Sequence, residues 1–176
     1  MISTGKFKNY KKQADIIFKT ELLTDFTPAE RYEFLQLCHN RKYKAGEYLF
    51  HQGDPGTGLY ILEDGLIELT LDTGDFDEIP SRHLHPTECI GTLAVISESR
   101  RYCSARCVTD SRLLGFFRPD YDVLRSRQPR IAIKLMEAIA KNLISKLSNS
   151  LMKLNEHTDS KTIFDIQAGL PSHEAL

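Results

Sequence analysis

The sequence predicts a mainly β protein: an antiparallel jelly-roll β-barrel (a double-stranded β-helix) with N-terminal helices before it and a long C-terminal helix after it. Between residues 42 and 117, short apolar runs are bounded by Gly, Asp or Pro, which is typical of strands joined by tight turns. From residue 129 onwards, apolar residues recur every three or four positions, as in an amphipathic helix. Many short strands at this spacing favour a closed antiparallel architecture over a parallel α/β sheet.

Length, charge and cysteine content narrow the functional classes. The 176 residues suit one domain with an appended element. The net charge is −1, from 23 basic and 24 acidic residues, so no overall field attracts nucleic acid or an anionic membrane. No apolar stretch reaches the roughly 18 residues that a bilayer requires, and we expect a cytoplasmic protein. Four cysteines without a CxxC pair indicate reduced thiols rather than a zinc site.

Two helices are predicted before the barrel. The first covers Ala14 to Leu23, where apolar residues follow helical spacing. The segment Thr27-Pro28-Ala29-Glu30 supplies an N-cap, a first-turn proline and the glutamate of a capping box, so the second helix should run from Pro28 to about His39. We assign residues 1–23 to an N-terminal arm and helix, 24–128 to the barrel, and 157–176 to a tail.

Seven segments between the two helical regions have strand character. Turns are expected at Gly53-Asp54-Pro55-Gly56, Asp64-Gly65, Thr73-Gly74-Asp75 and Thr109-Asp110. The predicted strands are Tyr48 to Phe50, Gly58 to Glu63, Leu66 to Leu71, Ile79 to His83, Cys89 to Ile90, Ser104 to Val108 and Ser111 to Phe117.

The C-terminal helix should begin at Pro129 and end at about Glu156, with two apolar rows. One is heptad-like and contains Ile133, Met136, Ala140, Leu143 and Leu147, with Leu151 and Leu154 following after one irregular step. The other contains Ile131, Leu135 and Ile139. One row can pack on the barrel while the other meets a second chain, so we expect a homodimer through residues 129–156.

The first half of the barrel resembles a known family. The segment Lys44 to Asp54 has a Gly-Glu turn, an apolar strand and a Gly-Asp turn, and Leu59 to Leu69 has a Tyr-led strand, a glycine and another strand. This pattern is similar to the opening of the cyclic-nucleotide-binding domain, found in the catabolite activator protein and in the regulatory subunits of protein kinase A. The resemblance extends over roughly residues 22 to 155.

Residues 90–105 resemble the phosphate-binding cassette of that family. Gly91 precedes a short helix, Thr92 to Ile96, in which Leu93 and Ala94 form the first turn, and Arg101 follows before the next strand. A helix N-terminus attracts an anion, and a guanidinium can grip two phosphate oxygens. The resemblance implies a ligand site at Gly91, Thr92, Leu93, Ala94, Arg101, Tyr102 and Ser104, with Ser104 touching phosphate or base and Tyr102 either stacking on a base or packing on the barrel.

Thr92 departs from the family pattern. Ligand-binding members usually have glutamate there, whose carboxylate accepts a hydrogen bond from the ribose 2′-hydroxyl. Threonine has a shorter reach and no charge, so this contact would be weakened, lost or replaced through water. Arg101 can therefore be interpreted as a phosphate ligand, or as a surface residue of a barrel whose ligand has changed.

The resemblance implies a regulatory module that binds cyclic AMP or cyclic GMP as effector, requires no cofactor or metal, and signals through the C-terminal helix, with a further partner protein as an option. The alternative is a degenerate fold that acts as a nucleotide-independent dimerisation or scaffold domain. We expect no enzymatic activity, because no catalytic motif emerges. We also expect no direct DNA binding by this chain alone, because about 20 residues after the long helix are too few for a helix-turn-helix domain.

Overall fold

The computed structural model describes residues 4–72, 74 and 81–155. Contacts divide the chain into two compact units, Met1–Ala138 and Ile139–Leu176. The helices are α1 (Thr4–Lys19), α2 (Pro28–Gln36), α3 (Arg118–Arg127) and α4 (Pro129–Asn155), with 3₁₀ helices at Glu21–Leu23 and Thr92–Val95. The strands are β1 (His39–Tyr43), β2 (Tyr48–Phe50), β3 (Gly58–Asp64), β4 (Ile67–Thr70), β5 (Ser81–Leu84), β6 (Cys89–Ile90), β7 (Ser104–Cys107) and β8 (Ser111–Phe117).

The eight strands form two antiparallel sheets of four, in the orders β1-β8-β3-β6 and β2-β7-β4-β5. Every pairing between named strands is antiparallel, and apart from the consecutive strands β4 and β5, neighbours in the sheets are distant in sequence, as in a jelly roll. The predicted fold class is confirmed, with N-terminal helices before the sheets and a long helix after them. The turn glycines Gly46, Gly53 and Gly65 have positive φ, which glycine adopts without strain.

The barrel interior is built from the inward positions of both sheets. Strand β7 shows the principle, because Ala105 and Cys107 are buried while Arg106 between them is exposed. These inward side chains meet those of the other strands in one apolar cluster. Its buried members are Phe50, Tyr60, Leu62, Ile67, Leu84, Ala105, Cys107 and Leu113.

The second helix is shorter than predicted, and one strand was missed. The capping box at Thr27 and Glu30 forms as expected, but α2 ends at Gln36 and not near His39. His39 instead begins β1, which pairs with β8 along its whole length. β1 is polar and almost fully exposed, so its sequence has no apolar alternation to reveal it, and the pairing with β8 decides its conformation.

Helix α4 runs from Pro129 to Asn155, close to its predicted bounds. The second apolar row is buried, with Ile131, Leu135 and Ile139 at 5%, 0% and 1% exposure. The heptad-like row includes exposed side chains, among them Ile133 and Leu147. Within the described residues, no helix is both long and apolar enough to cross a membrane.

Candidate ligand site

The segment after β6 forms a tight turn that opens into the short cassette helix, Thr92–Val95. Gly91 precedes this helix with φ +83°, a left-handed conformation that glycine adopts without strain. Thr92, Ala94 and Val95 are buried, and Leu93 is half-buried. A β-carbon on Gly91 would collide with Nη1 of Arg101 and lie 2.7 Å from the carbonyl oxygen of Gly58. The turn therefore leaves room for the guanidinium.

Arg101 is held against this turn from both its backbone and its side chain. Its N–H donates to the carbonyl of Asp54 at 2.8 Å, and its carbonyl accepts from the N–H of Gly53 at 2.9 Å. The guanidinium carbon lies 4.2 Å from the centre of the Phe50 ring and 5.9 Å from that of Tyr60. Both rings belong to the barrel interior, so the side chain points inward.

The Arg101 guanidinium is buried without full hydrogen bonding. The residue is 7% exposed, and its Nε and Nη1 have no hydrogen-bond partner among the described residues. Burial lowers the pKa of Arg101, against opposing contributions from Tyr60, Cys103 and Asp54. Because guanidinium remains protonated in proteins, the positive charge persists in a largely apolar setting. The aromatic faces of Phe50 and Tyr60 compensate only part of its lost hydration.

A second buried arginine shows how this fold treats a guanidinium with a purely structural role. Arg31 is 9% exposed, close to the value for Arg101. Its three nitrogens donate to four backbone carbonyls, those of Ile17, Phe18, Thr24 and Phe26, over 2.6 to 3.1 Å. Arg31 ties the end of α1 to α2 with all of its nitrogens engaged. Arg101 has two donors left over, which an anion could satisfy.

The structure brings together five of the seven predicted site residues, Gly91, Thr92, Leu93, Ala94 and Arg101, and places the other two apart from them. Tyr102 is 71% exposed. The Ser104 hydroxyl accepts a hydrogen bond from the N–H of Gln52 at 2.9 Å, and Ser104 precedes the inward-facing Ala105 in β7, so it faces away from the interior. Cys103 has the inward parity instead and packs partly buried against the core cluster.

Sequence reasoning missed the aromatic part of this site. Phe50 and Tyr60 were assigned to strands, but no local signal connects them to Arg101, which is 51 and 41 positions away in the chain. Their proximity arises because β2 and β3 lie in different sheets that face each other across the interior. The alternation of inward and outward side chains along the predicted strands could have identified both rings as core residues, but not as neighbours of the guanidinium.

Comparison with known proteins supports the fold and identifies the family. The family model described as the cyclic nucleotide-binding domain matches residues 40–128, which is half of the 176-residue chain. The chain belongs to this family. The cyclic AMP receptor protein of Thermus thermophilus is 33% identical to it over 122 residues, which are 69% of this chain and 56% of that protein. The chain thus spans about half the length of that relative.

Solved structures of the family share the fold. The catabolite activator protein of Thermus thermophilus superposes with a TM-score of 0.62 at 31% identity, covering 76% of this chain and 63% of that one. A cyclic nucleotide-binding domain from Methylobacillus flagellatus gives a TM-score of 0.70 at 18% identity, covering 87% and 86% of the two chains. At that identity, the second likeness establishes the fold alone.

The described histidines, acidic residues and cysteines have the following arrangement. Among the described residues, no group of three or more His, Cys, Asp or Glu side chains is arranged to hold a metal ion. Asp54 accepts a hydrogen bond from the N–H of His51 at 2.7 Å, which closes the turn before Pro55, as expected for a turn-forming aspartate. Cys38, Cys103 and Cys107 are not in disulfides, and burial raises the pKa of Cys103 against the opposing charge of Arg101.

Proposed function

We propose that this chain is a regulatory module that binds a cyclic nucleotide, cyclic AMP or cyclic GMP, at the cassette and transmits binding through α4. The cyclic phosphate would lie at Gly91 and the cassette helix, where it would accept hydrogen bonds from Arg101. The base and ribose would extend into or across the apolar barrel. The family assignment supports this class of ligand, and the geometry at Arg101 supports the place.

The observation that carries the proposal is the buried guanidinium, whose Nε and Nη1 have no hydrogen-bond partner in the ranges that the structure describes. Leaving a buried charge without a partner costs several kcal/mol, which the protein avoids at Arg31 by engaging every nitrogen. A singly charged phosphodiester would neutralise Arg101 and accept hydrogen bonds from its guanidinium. Gly91 contributes because any larger residue would occupy the space at Nη1.

Thr92 bears on which part of the nucleotide is recognised. It is 8% exposed at the first position of the cassette helix, and it replaces the glutamate that the family resemblance places there. Its single hydroxyl can donate or accept one short hydrogen bond, which is weaker than a charge-assisted one. We therefore propose that affinity depends mainly on the phosphate and depends little on the ribose 2′-hydroxyl.

Titration calorimetry tests the proposal with three ligands: cyclic AMP, cyclic GMP and 2′-deoxy cyclic AMP. We expect saturable binding of at least one of the two ribonucleotides. If cyclic AMP is the ligand, its 2′-deoxy form should bind with an affinity within about threefold, a difference smaller than one neutral hydrogen bond. Removing the guanidinium in Arg101→Gln should abolish the heat.

The matched control is Arg106→Gln, five residues further along the chain in β7, where the side chain points away from the barrel interior. Arg106 is exposed, and its Nε donates to the carbonyl of Gly46 at 3.3 Å. This variant should bind as the wild type does. No heat at millimolar concentrations of either ribonucleotide would overturn the proposal, and equal binding by both arginine variants would remove Arg101 from the site.

The alternative function, a nucleotide-independent dimerisation or scaffold domain, is supported by an apolar row on α4. Ile144 and Leu147 are 65% and 59% exposed, and Leu154 is 44% exposed. With Ala140 and Leu151 they follow a regular 4-3-4-3 spacing, typical of a coiled-coil seam. With Ile144 in place of Leu143, the spacing is regular from Ala140 onwards. A dimer that forms equally with and without nucleotide would favour this function.

A further inference from the structure

Arg118, the first residue of α3, contacts three separate parts of the chain. Its Nη1 donates to Oε1 of Glu98 at 3.1 Å, and its Nη2 donates to the carbonyls of Gly56 at 2.8 Å and Ser97 at 3.3 Å. Its backbone N–H donates to the carbonyl of Thr57 at 3.0 Å. One residue thus joins the end of the cassette, the loop between β2 and β3, and the first turn of α3.

The loop that Arg118 grips is itself packed tightly against the cassette. The N–H of Gly56 donates to the carbonyl of Ser99 at 2.9 Å. A β-carbon on Gly56 would lie 2.6 Å from that carbonyl oxygen and 2.7 Å from Cβ of Ala94. Both distances are too short for any side chain, so the loop packs directly against the cassette at this point.

Direct packing between the cassette and α3 is limited. A cleft of about 940 Å³ opens here, lined on the cassette by Glu98, Ser99 and Arg100 and at the start of α3 by Arg118, Pro119 and Asp120. The Arg118 guanidinium spans this gap with the hydrogen bonds described above. A planar group with five donors suits such a bridge, whereas an ammonium presents its charge at one point.

We propose that Arg118 is a positioning residue: it holds the phosphate cassette in register with α3, so that the conformation of the cassette and the placement of α3 are coupled. The inference rests on the proposed function only in naming the cassette as the ligand site. It assigns to Arg118 no contact with the ligand. Loss of the bridge should loosen the cassette and the Gly56 loop while the barrel stays intact.

Hydrogen exchange on the ligand-free protein tests the bridge without any nucleotide. In Arg118→Gln, the amides of Gly56 and Ser97 should exchange roughly tenfold faster or more, since hydrogen bonds from a charged group are lost. The amides of Ile61 and Leu114, paired in the barrel, should keep their rates. A merely structural role would instead speed exchange at both sets of amides, which would overturn the inference.

Two further variants sharpen this test. Arg118→Lys keeps the charge but cannot reach three acceptors, so it should not restore the wild-type rates. Arg125→Gln lies on the same helix, where its guanidinium pairs with Asp122 at the surface, and it should leave the cassette unaffected. Full rescue by lysine, or unchanged exchange at Gly56 and Ser97 in Arg118→Gln, would overturn the proposal.

Calorimetry then separates this inference from the proposed function. With cyclic AMP or cyclic GMP, whichever binds the wild type, Arg118→Gln should lower the affinity roughly tenfold, because only a fraction of the molecules holds the competent cassette. Arg125→Gln should bind normally. Absence of wild-type binding would remove the proposed function alone, since the exchange rates would still decide whether Arg118 positions the cassette.

Discussion

The guanidinium of Arg101 lies 4.2 Å over the ring of Phe50, and its Nε and Nη1 have no partner within the described part of the chain. An aromatic face attracts a cation but does not accept hydrogen bonds as an anion does. In the proposed function, Arg101 is therefore held ready for an anion at some expense to stability. Groups whose binding role conflicts with stability in this way are common at functional sites.

We expect the free energy of unfolding of Arg101→Met to equal that of the wild type or to exceed it by about 1 kcal/mol. The reason is that an apolar side chain of similar length replaces a buried charge without a partner. The same variant should lose stabilisation by cyclic nucleotide. Urea unfolding with and without ligand measures both effects. Destabilisation by more than about 2 kcal/mol, the loss expected for a structural buried cation, would show that Arg101 serves the fold itself.

Gly91→Ala should destabilise the protein by roughly 3 kcal/mol, because it combines left-handed strain with a collision at Arg101. Gly53→Ala is the matched control. Gly53 has φ +85° but nothing within 4 Å of the added carbon, so it should cost only about 1 kcal/mol for the backbone conformation. Urea midpoints compare the two variants, and equal losses would mean that the guanidinium moves aside freely.

The contact between Glu30 of α2 and Lys134 of α4 should make stability pH-dependent. Lys134 Nζ donates to Glu30 Oε2 at 2.7 Å, and this hydrogen bond, with that from the Thr27 backbone, lowers the pKa of Glu30. Because the pKa of Glu30 is lower in the folded than in the unfolded protein, its carboxylate stabilises the fold fully at a pH above the unfolded pKa of about 4.3. This contribution is lost as the pH falls through the pKa of Glu30 in the folded protein.

The free energy of unfolding of Glu30→Gln measures this contribution. The deficit relative to wild type should be constant above about pH 5 and should shrink as pH falls below about 4.3. Glu33→Gln, on the same helix, serves as the control. A deficit that stays the same down to pH 3 would attribute the effect of Glu30 to its helix cap and not to its charge.

Leu147→Glu should weaken any α4-mediated dimer at least roughly tenfold, because it places a charge in an apolar seam. Asn149→Glu adds the same charge on the opposite side of the helix and should leave association unchanged. Light scattering after size exclusion, over a range of protein concentrations, gives the molecular mass. A mass of one chain for the wild type at all concentrations would remove the dimer from the mechanism.

Much of the fold follows from local sequence. The limits of α4, the capping box at Thr27 and the positions of most strands are fixed by periodicity, caps and turn glycines, which act within a few residues. The end of α2 and strand β1 were not predictable in this way. His39 to Tyr43 is polar and exposed, so only the backbone hydrogen bonds to β8 select the extended conformation.

The candidate site likewise has one part that local sequence predicts and another that depends on tertiary packing. The sequence alone determined that Gly91 turns into a short helix and that Arg101 follows it at a fixed spacing, since both belong to one continuous segment. Only the tertiary structure decided that Arg101 turns inward onto Phe50, that Tyr102 and Ser104 lie apart from it, and that Arg118 reaches back to the cassette. These relationships join positions up to 62 residues apart, and they exist because two sheets close around one apolar interior, which no local pattern specifies.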